Sequence, residues 1–87
     1  MTNDSISYAP EHLDDIREIV ADILEVETEE VGETTHFADE LDADSLRAIE
    51  ILSQLEKKFT IDIPQTELPR MENLRAVYAV VAERTGW

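Results

Sequence analysis

The sequence contains no cysteine among its 87 residues. That absence excludes a disulfide framework, a thiol nucleophile and a cysteine-ligated zinc site. Glycine occurs only as Gly32 and Gly86, so a glycine-rich loop that cradles phosphate is excluded as well. The first residues, "MTNDSISYAP", lack the basic and apolar regions of a signal peptide. No apolar run approaches the ~20 residues of a membrane span. We therefore expect a cytoplasmic protein with no membrane partner.

Positive charge is scarce in the first half of the chain. Residues 1–45 carry 15 acidic side chains and a single base, Arg17, whereas residues 46–87 carry six of each sign. The net charge of −14 repels nucleic-acid phosphates and attracts basic protein surfaces. We expect no nucleic-acid partner, and, before any motif is considered, a solvated acidic face is the ordinary explanation.

Apolar residues recur at three- and four-residue spacing in three stretches, which is the period of an amphipathic helix. The first stretch predicts a helix from Pro10 to Val26, because proline is favoured at a first helical position. The second predicts a helix from Ser45 to Phe59, capped by Asp44 or by Ser45 itself. The predicted apolar stripe of this second helix comprises Leu46, Ile49, Leu52, Leu55 and Phe59.

The third helical stretch begins at an Asn73 cap and ends at Gly86. Residues 27–44 show no period, and so long a connection in a small domain is usually functional. We expect it to be an ordered loop held by Val31, Phe37 and Leu41. "FTIDIP" (59–64) predicts an extended segment that docks Ile61 and Ile63 inward, followed by a short helical turn limited by Pro69. The prediction is an all-α bundle of three to four helices, with a flexible tail at 1–9 and a single domain at 10–87.

No catalytic constellation emerges from the sequence. His12 and His36 lie far apart and neither stands in a metal-binding spacing. No Gly-x-Ser-x-Gly turn surrounds a serine, and the acid-rich segment before Ser45 fits no register of an EF-hand loop. We therefore predict neither an enzyme nor a metal site. Taken alone, Ser45 is most simply interpreted as a helix cap.

The stretch around Ser45 nevertheless resembles the attachment motif of acyl carrier proteins. "ADSL" (43–46) is followed at the family's spacing by "IEIL" (49–52), and the preceding "HFADEL", the later "LEKKFTIDIP" and the final "ENLRAVYAVVAE" extend the resemblance over residues 10–85. It implies that Ser45 carries 4'-phosphopantetheine, donated by coenzyme A and attached by a phosphopantetheinyl transferase. Acyl groups would travel as thioesters on the thiol of that arm.

The same resemblance assigns two further sets of residues. A face that meets the basic docking surfaces of ketosynthases, acyltransferases and other biosynthetic enzymes would comprise Asp44, Leu46, Glu50, Ile51 and Glu56. An acyl-chain pocket would be lined by Phe37, Ile49, Leu55, Ile63, Met71 and Val77, although ordinary core packing explains the same residues. We expect a monomer, because a carrier must present its arm freely.

Several positions depart from the family's pattern. Arg47 stands where many fatty-acid carriers have an acidic residue, and Lys57 and Lys58 dilute the charge of the same helix. Asp42 stands where glycine is common, which predicts a changed loop backbone, and Pro69 predicts a brief or distorted short helix. The resemblance implies a discrete, type II-like carrier of polyketide or fatty acid biosynthesis, and these departures favour polyketide or mixed biosynthesis. The alternatives are an aminoacyl or peptidyl carrier, and a non-catalytic acidic interaction domain in which Ser45 is only a cap.

Overall fold

The computed structural model of the chain describes residues 9–87. The predicted flexible tail falls on residues outside this range, apart from its last residue, Ala9. The Ala9 amide donates to the phenol oxygen of Tyr78 at 3.0 Å, and the Ala9 carbonyl accepts from the amide of Leu13 at 3.0 Å. Ala9 is therefore hydrogen-bonded to both α1 and α4.

Three long helices and one short helix form the described part of the chain, which confirms the predicted all-α bundle. The helices are α1 (Pro10–Leu24), α2 (Phe37–Glu40), α3 (Ser45–Phe59) and α4 (Leu74–Thr85), with 3₁₀ segments at Thr28–Glu30 and Gln65–Arg70. Helix α1 packs against both α3 and α4. No strand occurs between residues 9 and 87, and within that range no helix is long and apolar enough to cross a membrane.

The core lies between the three long helices. Its fully buried side chains are Ile16, Val20, Val31, Leu55, Leu74, Val77, Tyr78, Val80 and Val81. Because Tyr78 carries a hydroxyl into this apolar region, its hydrogen bond from the Ala9 amide removes the cost of an unsatisfied polar group. The ends of α4 follow the prediction: Asn73 Oδ1 accepts from the amide of Ala76 at 2.9 Å, and Gly86 leaves the helix with φ 84°.

Helix α1 ends at Leu24 rather than at the predicted Val26. Glu25 adopts a left-handed conformation with φ 59°, and the amide of Val26 then donates back to the carbonyl of Ala21 at 3.0 Å. Glycine usually occupies such a position because it has no Cβ. Because a glutamate at this position does not indicate a helix end, the sequence predicted a helix that is two residues too long.

The predicted apolar stripe of α3 is right for Leu52 and Leu55, which are buried, and wrong for Leu46, which is exposed. The side chains buried in α3 are those of Ile51, Leu52 and Leu55, whereas Leu46 is 65% exposed and Ile49 is half-buried. Leu46 precedes the fully buried Leu55 by nine residues, a rotation of about 900°, which is half a turn beyond two full turns of an α-helix. It therefore points almost directly away from the core.

The long connection between α1 and α3 is ordered, as predicted. Val31 and Phe37 are buried and Leu41 packs partly against the core. The amide of Phe37 donates to the carbonyl of Glu72 at 2.9 Å, which ties α2 to the segment before α4. The two short helical segments inside the connection were not predicted, because three or four residues are too few to show a period.

The segment from Phe59 to Met71 also follows the prediction. Ile63 is buried, and Ile61 packs partly against the core. Pro69 lies inside a 3₁₀ helix rather than an α-helix. Proline has no amide hydrogen to donate, and 3₁₀ helices are normally short.

Four charged side chains fasten this 3₁₀ helix to α4. Arg84 lies 3.0 Å from Glu67, and Arg70 lies 2.8 Å from both Glu67 and Glu83. The hydrogen bonds that Arg70 donates to Glu83 and Glu67 raise the pKa of Arg70, and the bond that Glu83 accepts from Arg70 lowers the pKa of Glu83. The 3₁₀ helix is thus held in place beside the start of α3.

Asp42 adopts the left-handed conformation that glycine favours, with φ 57°. We expect Asp42→Ala to be less stable than Asp42→Gly by about 1 kcal/mol, because a Cβ is strained at this φ. Glu18, exposed in the middle of α1, is the matched control, where the alanine variant should be the more stable by about 1 kcal/mol. Urea unfolding measures both differences. Equal stabilities at position 42 would contradict the left-handed assignment.

Candidate functional site

Ser45 is the first residue of α3, and its side chain is exposed. Asp44, not Ser45, caps the helix: its Oδ1 accepts from the amide of Arg47 at 2.9 Å. Within residues 9–87 no hydrogen bond involves the Ser45 hydroxyl, and Ser45 is not needed to close the helix end. The interpretation of Ser45 as a mere cap is therefore wrong.

No base is hydrogen-bonded to Ser45 in the described part of the chain. The nearest titratable ring on the same groove belongs to His36, which caps α2 instead. His36 Nδ1 accepts from the amide of Asp39 at 3.4 Å, and His36 Nε2 lies 3.7 Å from Glu72. An unactivated serine hydroxyl is a weak nucleophile. Ser45 therefore fits the part of a substrate that a second protein modifies.

An apolar groove of about 290 Å³ opens beside Ser45. It lies between α3, α2 and the 3₁₀ helix Gln65–Arg70, and His36 and Glu72 stand among its lining residues. Its apolar wall includes Phe37, Ala43, Ala48, Ile51, Leu68 and Met71. Small side chains at positions 43 and 48 line this space directly beside the serine.

Only two of the six residues predicted to line an acyl pocket, Phe37 and Met71, line this groove. Ile49 lies on a different surface groove. The other three, Leu55, Ile63 and Val77, are buried in the main core. The prediction missed the lining alanines because they contribute little to an apolar period.

The predicted partner face also changes in composition. Ile51 was assigned to it but is 3% exposed, and it lines the groove instead. Glu56 is half-buried, and its carboxylate accepts from the amide of Ile63 at 2.8 Å. The exposed members are Asp44, Leu46 and Glu50.

The remaining histidine, His12, lies away from this site. Its ring stacks on the indole of Trp87, with centroids 3.9 Å apart, and Trp87 also meets the rings of Phe59 and Tyr78 edge-on or tilted. In the described part of the chain, no group of three or more histidine and acidic side chains is arranged to hold a metal ion.

Comparison with known families decides the assignment. Residues 14–81 match the family described as "Phosphopantetheine attachment site". The chain belongs to this family of carrier proteins. Such a protein is not an enzyme: it holds a covalently attached phosphopantetheine arm and carries acyl groups on it.

Individual relatives agree with the family. "Polyketide-8 synthase acyl carrier protein 1" of Streptomyces avermitilis is 56% identical over 69 residues, which are 79% of this chain and 82% of the relative. An acyl carrier protein of Picosynechococcus sp. is 34% identical over 76 residues, 87% of this chain and 94% of the relative.

A solved structure also contains a similar chain. That structure is "The ishigamide ketosynthase/chain length factor", and the chain is 46% identical with a TM-score of 0.76. The alignment covers 91% of this carrier and 100% of that chain, so the matched chain is itself of carrier size.

The residues beside Ser45 fit a phosphopantetheine arm. The hydroxyl is exposed and makes no hydrogen bond to a residue that the structure describes, and a helix N-terminus favours the negative charge of a phosphodiester. When bound, the arm supplies the thiol that the cysteine-free carrier lacks. The carrier's own residues provide an accessible hydroxyl, a fixed helix start and an adjacent apolar groove.

Proposed function

We propose that Ser45 is the residue that bears the phosphopantetheine arm, and that the carrier is a discrete, type II-like protein of polyketide biosynthesis. The observation that carries the proposal is the free, exposed Ser45 hydroxyl at the start of α3. Asp44 performs the capping that would otherwise explain a serine there.

The relatives favour polyketide over fatty acid biosynthesis. Two relatives are named for a polyketide synthase, one 56% and the other 35% identical, whereas two named only acyl carrier protein are 34% and 45% identical. The similar chain of known structure comes from a structure of a ketosynthase and chain length factor. None of these names an aminoacyl or peptidyl carrier.

The partners implied are a phosphopantetheinyl transferase, followed by ketosynthases and acyltransferases with basic docking surfaces. They would meet an exposed face around Ser45 formed by Asp44, Leu46 and Glu50. Leu46 is 65% exposed and offers an apolar contact, while the two carboxylates attract and orient a basic surface. We place the carrier in the cytoplasm as a monomer that visits these enzymes in turn.

An elongation assay tests the pathway. The holo carrier is charged with a malonyl group and offered either to a ketosynthase–chain length factor pair or to a complete fatty acid synthase. Mass spectrometry of the carrier then counts the added units. We expect elongation by the polyketide pair. Efficient elongation by the fatty acid synthase alone would overturn the polyketide assignment.

We propose further that the groove beside Ser45 takes the acyl chain. Its walls are apolar and it opens at the residue to which the arm is attached. Because burial of methylene groups is favourable by about 0.8 kcal/mol each, an acyl chain in the groove stabilises the folded carrier. Leu55, Ile63 and Val77, which are buried in the core and do not line the groove, have no part in this site.

Filling the groove should abolish that stabilisation. We expect octanoylation of the holo parent to raise its thermal midpoint by several degrees, since a bound group stabilises the folded state. In Ala48→Leu the gain should fall to about a third or less, because the added side chain occupies the groove. Gln54→Leu places the same bulk on the exposed side of α3 and should keep the full gain. The same gain in all three proteins would contradict the groove assignment.

A further inference from the structure

Arg47 occupies an unfavourable place in its own helix. It is the third residue of α3, where the positive end of the helix dipole disfavours a cation. The last turn of α1, by contrast, would favour a cation, because its carbonyl groups lack helical partners. It contains no basic residue of its own. The end of α1 thus lacks the positive charge that would suit it, and the fold brings the start of α3, with Arg47, beside that end.

The Arg47 guanidinium joins these ends. Its Nη1 donates to the carbonyl oxygen of Ile23 in the last turn of α1. Its Nη2 lies 3.3 Å from the carboxylate of Glu25, the residue whose left-handed backbone ends α1. A single side chain from α3 thus acts as the cap of another helix, 24 residues earlier in the chain.

The same guanidinium also changes the charge beside Ser45. Its Nη1 lies 3.9 Å from the carboxylate of Glu50, one turn further along α3. Arg47 and both carboxylates line one surface groove between α1 and α3. On the other side of Ser45, Asp42 and Asp44 are exposed, and no ion pair involves either in the described part of the chain. The acidic surface around Ser45 is therefore screened on one side and open on the other.

We propose that Arg47 is a positioning residue that determines which carboxylates a partner enzyme meets: by capping α1 from α3 it fixes the turn that bears Ser45, and by pairing with Glu25 and Glu50 it screens that side of the serine. Asp42 and Asp44 then attract a basic partner more strongly than the screened Glu50 does. The inference rests on the proposed function and adds the basis of its partner selection.

A double-mutant cycle tests the screening. The KM for the apo carrier is measured with coenzyme A and a phosphopantetheinyl transferase, for Glu50→Gln in the parent and in an Arg47→Gln background. Glutamine at 47 removes the charge and keeps a polar side chain on this surface. We expect Glu50→Gln to raise KM about threefold more in the Arg47→Gln background than in the parent, the size typical of an exposed ion pair. The same ratio in both backgrounds overturns the proposal.

Lys58→Gln provides the matched control, because it removes one cation from the same helix. Lys58 is exposed and stands eight residues, or about 12 Å along the axis, from Glu50. That separation exceeds the Debye length of about 8 Å at physiological salt. In the Lys58→Gln background, Glu50→Gln should raise KM by the same factor as in the parent. If Lys58→Gln enlarged that factor as much as Arg47→Gln does, the assignment to Arg47 would be overturned.

Thermal unfolding tests the cap independently of any enzyme. Arg47→Ala and Glu25→Gln should each lower the midpoint by a few degrees, and the double variant should lose less than the sum. If the loss in the double variant equals the sum of the two single losses, Arg47 and Glu25 do not act together, and the proposed cap is overturned. If the parent takes up no phosphopantetheine, the proposed function fails while this cycle still decides whether Arg47 joins the two helices.

Discussion

Ser45→Ala should take up no phosphopantetheine while keeping the fold of the parent. The variant loses the only hydroxyl at the start of α3, and attachment falls to zero. Its stability should change by less than about 0.5 kcal/mol, because the exposed Ser45 hydroxyl makes no hydrogen bond within the described residues. Intact mass after incubation with coenzyme A, magnesium and transferase measures the first effect, and urea unfolding measures the second.

Two control variants separate this loss from a structural effect. Ser53→Ala removes the other exposed serine of α3 and should leave modification unchanged. Asp44→Ala removes the actual cap, so it should lower the free energy of unfolding by about 1 kcal/mol and still accept the arm, more slowly. Modification of Ser45→Ala to the extent of the parent would exclude Ser45 as the site.

Leu55→Ala should destabilise the carrier by about 3 kcal/mol. Leu55 is fully buried among the three long helices, and truncation leaves a cavity there. For a domain of this size that loss lowers the thermal midpoint by roughly 12 °C or more. Leu46→Ala, the same substitution on the exposed side of the same helix, should change stability by less than about 0.5 kcal/mol. Thermal and urea unfolding of both variants provide the comparison.

The milder Leu55→Val keeps this prediction testable if the alanine variant does not fold. It should cost about 1 kcal/mol and leave the thermal gain on octanoylation intact, because Leu55 belongs to the core and not to the groove. Equal losses of unfolding free energy in Leu46→Ala and Leu55→Ala would contradict the orientation of α3, in which Leu55 is buried and Leu46 is exposed. If octanoylation no longer raised the thermal midpoint of Leu55→Val, Leu55 would have to line the acyl-chain pocket after all.

The helices could be predicted from sequence because long apolar periods and good caps mark them. Asn73 and Gly86 bound α4 as expected, and both Phe37 and Ile63 reach the core. The prediction failed where a local rule was broken by tertiary contacts. Glu25 ends α1 in a conformation that favours glycine, and Arg47 of a different helix stabilises that end.

The candidate site could be predicted only in part. The motif around Ser45 singled out the serine, but sequence alone left two candidate caps, and the structure assigns the cap to Asp44. Most residues that line the groove were not predicted, because the groove is formed by several elements that meet in space and no sequence pattern marks it. The small side chains of Ala43 and Ala48 leave that space beside Ser45, and no periodicity distinguishes such alanines from ordinary helical ones.

The most direct test of the account is to locate the arm on the native chain. The apo carrier is incubated with coenzyme A, magnesium and a phosphopantetheinyl transferase, digested, and analysed by fragment mass spectrometry. The account predicts the mass of one phosphopantetheine on the peptide containing Ser45, and on no other. A folded carrier that gains no mass with several transferases, or gains it on a different residue, would contradict the central claim.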